Sequence, residues 1–426
     1  MNHPSIYLRA TCRACRGPLQ TVLNLGDLRL NAFPRFAWEV EQVHRVPLVL
    51  TVCTHCGLTQ LDRTVPPDWL YRHYWYRSGV NETMVAELHG IVDEARGMVE
   101  LHDDSHVLDI GANDGTLLSR YRALPFPSPQ PVRYAVEPAL NLQERLRAHC
   151  DVLIPDFFPL DALTGQRFQI ITAIAMCYDV EDPVKFFRAV HDLLATNGVA
   201  VIQFQDFGGQ VESAAFDNLC HEHLEYYTLW SLTHIFKQTG LTVERCTRTP
   251  INGGSLRMHL RRWEDAVPPD ASVTRQLLYE AQIGLDTPGI REGRLDAFTT
   301  FRQRVERVKT QVGAAVEVAL EQGCVIDVYG ASTKGNILLQ VLGLGPREIR
   351  QAIERSPEKV GCLTITGIPI VSEEQGRKDP ANLWLCPIWQ FKQGVLKREA
   401  WFLEQGGTIL FPLPWTEVVK QDWRVR

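Results

Sequence analysis

The stretch His106-Val-Leu-Asp-Ile-Gly-Ala-Asn-Asp-Gly-Thr-Leu-Leu118 narrows the fold more than any other part of the chain. A short apolar run leads into a glycine-rich turn and then into helix-forming residues, the opening of a βαβ unit in a doubly wound α/β sheet. Gly111 and Gly115 let backbone approach a ligand closely. Their spacing is GxxxG, which departs from the dinucleotide fingerprint GxGxxG. Asp109 in the strand and Asp114 in the turn would repel a pyrophosphate and suit a cationic or hydroxyl-bearing ligand. After a proline-rich loop at 125–131 comes the strand-like Tyr134-Ala-Val-Glu-Pro138. Its Glu137 lies about 20 residues past the glycines, where a carboxylate can accept bonds from two ribose hydroxyls.

The order D-x-G-x-N-x-G, then Glu137, then Asp156-Phe157-Phe158 resembles the class I S-adenosylmethionine (SAM) methyltransferases. That resemblance implies that Asp109, Gly111, Asn113 and Gly115 flank the methionine part of the donor, Glu137 holds its ribose, and Asp156 with Phe157 clamps its adenine. Further strands are expected at 170–175 and 198–204, with a helix from Pro183 to Leu194 between them. A helix from Ser231 to Gly240 is expected before a hairpin-like pair at 241–246 and 256–261. The methyltransferase core is therefore expected over 73–265.

Ahead of that core, Cys12-Arg-Ala-Cys15 and Cys53-Thr-His-Cys56-Gly57 flank strand-like runs such as 47–52, a zinc-ribbon pattern. Each CxxC turn presents two thiolates to one side of a tetrahedral ion, and two such turns close the site. Zinc held by Cys12, Cys15, Cys53 and Cys56 is therefore expected to be structural, with His55 a bystander. A redox CxxC would sit more naturally at the start of a helix in a βα unit. The zinc module is expected over 1–72. Just beyond Pro66-Pro67, the cluster Tyr71, His73, Tyr74 and Tyr76 either packs or lines a polar pocket, and a helix follows from Glu82 to about Leu101.

Residues 268–320 carry helical spacing, and Cys324-Val-Ile-Asp-Val-Tyr-Gly-Ala-Ser-Thr-Lys-Gly-Asn336 opens a second βα unit. A helical bridge and a Rossmann-like domain are expected over 266–426. Ser332 and Lys334, near a helix N-terminus, would suit the phosphates of a nucleotide-linked substrate. The expected class is thus α/β: a methyltransferase core between a zinc-binding module and a Rossmann-like C-terminal domain.

Composition narrows the partners. Fifty acids against forty-four Lys plus Arg give a net charge of −6, dispersed along the chain, with no basic footprint for nucleic acid or an anionic membrane. The longest apolar stretches, such as 199–204, are far short of the ~20 residues that span a bilayer, and no signal-peptide core is visible. A cytoplasmic protein is expected, with its oligomeric state open and a monomer compatible.

The polar segment Phe216-Asp-Asn-Leu-Cys-His-Glu-His-Leu-Glu-Tyr-Tyr227 follows the fifth strand, where a loop overhangs the ligand crevice of an open α/β sheet. His221, Glu222 and His223 are too closely spaced to form the HExxH metal site and fit catalysis beside the donor better. A four-cysteine module, a SAM core, the HEHL segment, Asn252-Gly-Gly-Ser-Leu-Arg257 and GASTKGN occur in one order over nearly the whole chain. That conjunction resembles the deoxysugar C-methyltransferases. The resemblance implies methylation at C3 of a nucleotide-activated 4-keto-6-deoxyhexose, with His223 as base, Glu222 and His221 orienting it or binding sugar hydroxyls, and Asn252 at the substrate. A carbon beside a ketone becomes nucleophilic only once a base removes its proton, and an imidazole titrates near working pH. Cys220 stands where better-known members carry Tyr, so either a tyrosine of the Tyr74 to Tyr76 cluster serves the keto oxygen or the substrate differs. Gln390 likewise replaces a His. The carrier, whether dTDP, GDP or CDP, is not legible. The rival readings are an O- or N-methyltransferase, a non-catalytic SAM-binding protein, and an NAD-dependent oxidoreductase using the C-terminal glycine turn.

Overall fold

A computed structural model describes residues 5–123 and 128–421, so part of the proline-rich loop at 125–131 lies outside the described residues. The chain packs into two compact units that interleave along the sequence. The first comprises the described residues of Met1–Gln20, Thr51–Gly208 and Glu222–Leu295, and the second those of Thr21–Leu50, Gly209–His221 and Asp296–Arg426.

The first unit is built on a seven-stranded sheet, in the order Leu241–Thr249, Ser255–Arg262, Leu194–Gln205, Phe168–Ile174, His106–Ile110, Val132–Val136 and Val152–Ile154. The last five run parallel, and Ser255–Arg262 joins antiparallel to Leu194–Gln205. Consecutive residues of a strand face opposite ways, so a central parallel strand covered on both sides is apolar along most of its length. Val107, Ile170, Val199 and Val201 accordingly pack with Leu88, Ile91 and Val92 of the helix Glu82–Arg96. Leu108, Ile171, Ala200 and Ile202 pack on the other face with Phe186, Phe187 and Val190 of the helix Pro183–Leu193.

Element ends follow local chemistry. Asn81 and Asp182 accept N–H bonds from Thr83 and Lys185 and so start their helices. The first helix stops at Arg96, five residues before the expected end, because its C-cap is Gly97. The helix expected from Ser231 begins at Leu229, where Thr228 and Ser231 form a reciprocal capping box, and it ends as left-handed Gly240 takes φ 76°. The helical region expected over 268–320 is three helices, Ala271–Gln282, Thr287–Arg291 and Asp296–Glu321, divided at Gly284 and Gly293, both at positive φ. The first of them packs in the first unit. There both oxygens of buried Glu280 accept the leading N–H groups of Leu229 and Trp230, and burial pushes that carboxyl up to about 7.

The second unit carries a six-stranded sheet in the order Ile370–Ser372, Ala352–Glu354, Ile326–Tyr329, Leu383–Leu385, Thr408–Phe411 and Glu417–Val419, parallel except for the last pairing. The expected glycine turn leaves the strand Ile326–Tyr329 and enters the helix Thr333–Leu342. Among the described residues, no helix is long and apolar enough to cross a membrane.

Trp384 sits at the centre of the second sheet with no exposure, stacked on Phe402 at 3.6 Å between ring centroids and on Tyr329 at 4.8 Å. Replacing it with Ala removes the largest buried side chain of this unit and leaves a cavity. The expected loss is about 3–5 kcal/mol of unfolding free energy, read as a shift in the urea midpoint of the second unit.

Candidate active site and zinc centre

Both CxxC turns converge. The Sγ atoms of Cys12 and Cys56 lie 3.5 Å apart and those of Cys15 and Cys53 3.4 Å apart, and all four fall within 4.8 Å of one another. Sulfurs at 2.3 Å from a tetrahedral zinc ion are separated by about 3.8 Å, so the cluster fits that ion closely. The surrounding donors suit thiolates: Gly17 N–H points at Cys15 Sγ, the N–H groups of His55 and Cys56 at Cys53 Sγ, and Gln60 Nε2 at Cys12 Sγ, all at 3.3–3.4 Å. The His55 imidazole is not among the clustered ligand atoms; it meets the ring of His234, 5.7 Å between centroids.

The motifs expected to bind the donor gather at the carboxyl ends of the parallel strands. Gly111 at φ 70° turns the chain out of its strand, and a Cβ there would stand 2.9 Å from Met176 Cγ. Asn113, itself left-handed at φ 53°, gives its N–H to one oxygen of Glu137 at 2.8 Å, while Ala139 N–H holds the other at 2.8 Å. Burial pushes the Glu137 carboxyl up to about 7 against those two bonds. Asp109 is 3% exposed and accepts the Thr172 hydroxyl at 2.7 Å; burial first, then the Glu137 charge, raises it to about 7. It therefore braces the turn from beneath. Asp156 is exposed, with Phe157 beside it under the Arg72 guanidinium at 4.5 Å.

The aromatic segment 71–79 spans this edge. Asn113 Oδ1 accepts Ser78 N–H at 3.0 Å and its Nδ2 donates to Tyr76 O at 3.1 Å, while Asp114 accepts Gly79 N–H at 2.9 Å. Asn141 clasps both backbone groups of Tyr74 at 3.0 and 2.9 Å. Both sets of bonds run from side chains in the donor loops to the backbone of the segment. Tyr76 is 43% exposed overall, yet burial at its hydroxyl and the Asp114 charge push its pKa up to about 12.

His223 lies against the same edge. Its ring meets that of Tyr178 edge-on, 4.6 Å between centroids, and the Tyr178 carbonyl accepts N–H bonds from Leu224 at 2.7 Å and Glu225 at 3.1 Å. The Tyr71 hydroxyl donates to the Glu222 carbonyl and also bonds the Asp179 carboxyl, which burial and the charges of Glu222 and Glu225 push well above the ordinary range. Tyr178 and Asp179 were not singled out from the sequence. The signal for them is position alone: they follow the strand Phe168–Ile174 at its carboxyl end, where such a fold places its ligand.

Other expected residues have different surroundings. His221 is 1% exposed, its Nε2 lies 3.0 Å from the Val46 carbonyl, and burial lowers its pKa to about 4, so it is a neutral, backbone-tied ring in the second unit. Ser332 caps its helix by accepting Gly335 N–H at 2.9 Å. Burial lowers the Lys334 pKa, while the charges of Asp217 and Cys220 act to raise it. Asn252 takes a left-handed φ of 57° in the short turn before Ser255–Arg262.

Three family models match successive parts of the chain. Residues 12–71 match a family described as "Putative zinc binding domain", 80–245 a methyltransferase domain, and 250–414 the C-methyltransferase C-terminal domain. The C-methyltransferase NovU of Streptomyces niveus is 28% identical over 384 residues, 88% of each chain. Among solved structures, a SAM-dependent methyltransferase of Clostridium acetobutylicum is 12% identical, covering 42% of this chain and 92% of that one at a TM-score of 0.35. The CcbJ methyltransferase of Streptomyces caelestis is 16% identical, covering 44% and 93% at a TM-score of 0.34.

A Cβ on Gly17 would stand 2.9 Å from His55 Cβ and 3.1 and 3.2 Å from the sulfurs of Cys15 and Cys53. Gly17→Ala is expected to weaken zinc binding by about 10-fold or more, measured by competition with a chromogenic chelator.

Proposed function

Because this chain is a SAM-dependent C-methyltransferase with a zinc-binding domain, we propose that it methylates C3 of a nucleotide-linked 4-keto-6-deoxyhexose and that His223 removes the C3 proton. The carrying observation is that His223 packs on Tyr178 in the same loop whose Met176 borders the Gly111 turn. One short loop thus lies next to both the donor motif and an imidazole. The sugar itself is argued from the HEHL, NGGSLR and GASTKGN segments and from their resemblance to the deoxysugar enzymes. A cytoplasmic location fits an acceptor of this kind.

Bound SAM supplies an electrophilic methyl group on a sulfonium. In the reading advanced here, Glu137 accepts the ribose hydroxyls, and Phe157 with Asp156 lies at the adenine. His223 takes the proton from the carbon beside the ketone, and the resulting enolate carbon attacks the methyl in line. The enolate oxygen needs a donor, and Tyr74 and Tyr76 supply hydroxyls from the segment that crosses the donor loops. Holding acceptor carbon and methyl in register supplies most of the acceleration in such a transfer.

The test is mass spectrometry of dTDP-, GDP- and CDP-linked 4-keto-6-deoxyhexoses incubated in deuterated water with enzyme and SAM. One added methyl with loss of the C3 hydrogen is expected for one carrier, and His223→Ala should lower the rate by about 10²-fold or more. A methyl gained with the C3 hydrogen retained would indicate transfer to oxygen or nitrogen. SAM binding with no acceptor modified would remove the sugar reading.

Glu137 adds a pH signature. Its carboxyl must lose a proton held up to about 7 before both oxygens can serve as acceptors. SAM affinity is therefore expected to rise with pH up to about 7 and level off above it. Calorimetric titration should show a slope approaching tenfold per pH unit on the acid side, and Glu137→Gln should flatten it.

A further inference from the structure

The segment bearing His223 has little structure of its own. It runs into the two-residue strand Glu225–Tyr226, which among the described residues pairs only with Thr59–Leu61. That partner is the strand leaving the second zinc turn. In that turn Cys53 N–H bonds Leu58 O at 2.8 Å and Gly57 N–H bonds Cys53 O at 2.9 Å, and the strand starts one residue later. Leu61 N–H then reaches the Leu224 carbonyl at 2.9 Å, one residue from the imidazole.

Gln60 stands between the two. It is fully buried and pairs through its backbone with Glu225. Its Oε1 accepts from Arg13 N at 3.1 Å and from Arg13 Nη1 at 3.2 Å, two donors that fix which way the amide faces. Its Nε2 is thereby turned onto Cys12 Sγ, a zinc ligand, at 3.3 Å. Arg13, 1% exposed, donates as well to the Leu61 carbonyl and, at 2.7 Å, to Thr64 Oγ1, while its Nε lies 3.6 Å from carboxylate oxygens of Glu225 and Glu181. A closed set of bonds therefore runs from a metal-ligating sulfur, through one side chain, into the strand that registers the HEHL segment. Because side chains alternate along a strand, a slip of one residue in this pairing would turn every side chain of Glu225–Tyr226 to the other face and carry His223 with it.

We infer that Gln60 is a positioning residue for the reaction, transmitting the geometry of the zinc cluster to His223, so that the metal sets the place of the base as well as holding its own module together. The inference rests on the reading of His223 as base.

The experiment uses the full-length, zinc-loaded protein. Hydrogen–deuterium exchange is followed with and without zinc extraction by a chelator, with SAM present. Peptides spanning 57–63 and 222–228 are expected to exchange at least about tenfold faster once zinc is removed, with the strand His106–Ile110 unchanged. Unaltered exchange at 222–228 would overturn the inference. In parallel, Gln60→Met keeps the backbone pairing and similar volume and removes only the amide. Assayed at saturating zinc, since loss of the Nε2–Sγ bond is itself expected to weaken the metal site about tenfold, it is expected to bind SAM as before while kcat, on whichever sugar of the panel turns over, falls about tenfold with KM for SAM unchanged. A Gln60→Met enzyme with full kcat would also overturn it. If that variant does not fold, the exchange measurement on the unmodified protein decides alone. Full activity in His223→Ala would remove the base assignment, and the exchange result would still stand as a statement about the segment.

Discussion

Buried carboxyl groups at the carboxyl edge of the first sheet are the constraint around which the rest of the site is arranged. Asp109, Glu137, Asp179 and Glu225 are all withdrawn from water there, and burial leads the causes that raise each of them. Such groups persist in a fold only where donors compensate them. Thr172 answers Asp109 and the N–H groups of Asn113 and Ala139 answer Glu137, whereas Asp179 shares the one Tyr71 hydroxyl with the Glu222 carbonyl and Glu225 has the Arg13 charge 3.6 Å away, with no hydrogen bond to either oxygen among the described residues. Each donor belongs to a different stretch of chain, so satisfying the carboxyls draws the strap at 71–79, the glycine turn and the zinc module onto one edge.

The zinc module gains a second role from this arrangement. Four thiolates need a cation, and a chelated cation fixes two turns far apart in sequence more tightly than apolar packing of so short a segment would. Cys12, Ala14, Cys53, Cys56 and Leu58 also join the core that lies under Phe186, Phe187 and Leu229. The metal-bound turns are thus continuous with the packing of the methyltransferase sheet, and a strand grown from them inherits a fixed position.

What could be read from the sequence was whatever chemistry is local. The strand, glycine turn and helix at 106–118, the acid at 137 and the paired CxxC turns announce themselves within a few residues, because strained backbone and thiolate spacing are short-range demands. Element ends were less legible: Gly97 and Thr228 moved two helices by a few residues through their caps. Least legible were Gln60, Tyr178 and Asp179. A buried glutamine or tyrosine has no spacing signature, and each acquires its surroundings only when distant strands pair or loops meet. The surroundings of His221 were equally illegible. The residue sits in the polar segment that draws attention, and there burial and the Nε2 contact with the Val46 carbonyl set its surroundings.

The strap at 71–79 ties the glycine turn to the segment that carries His223. Asn113 and Asp114 hold its far end to the glycine turn, Asn141 holds Tyr74 to the loop beyond the strand Val132–Val136, and Tyr71 at its near end bonds Glu222 and Asp179. Most of these bonds join a side chain to the backbone, so they fix where the strap runs. Any displacement of the donor loops is therefore felt at the residue preceding His223 without passing through the sheet. For a transfer in which a carbon must meet a methyl in line, a strap bonded at both ends limits how far the Gly111 turn and the His223 segment can move apart.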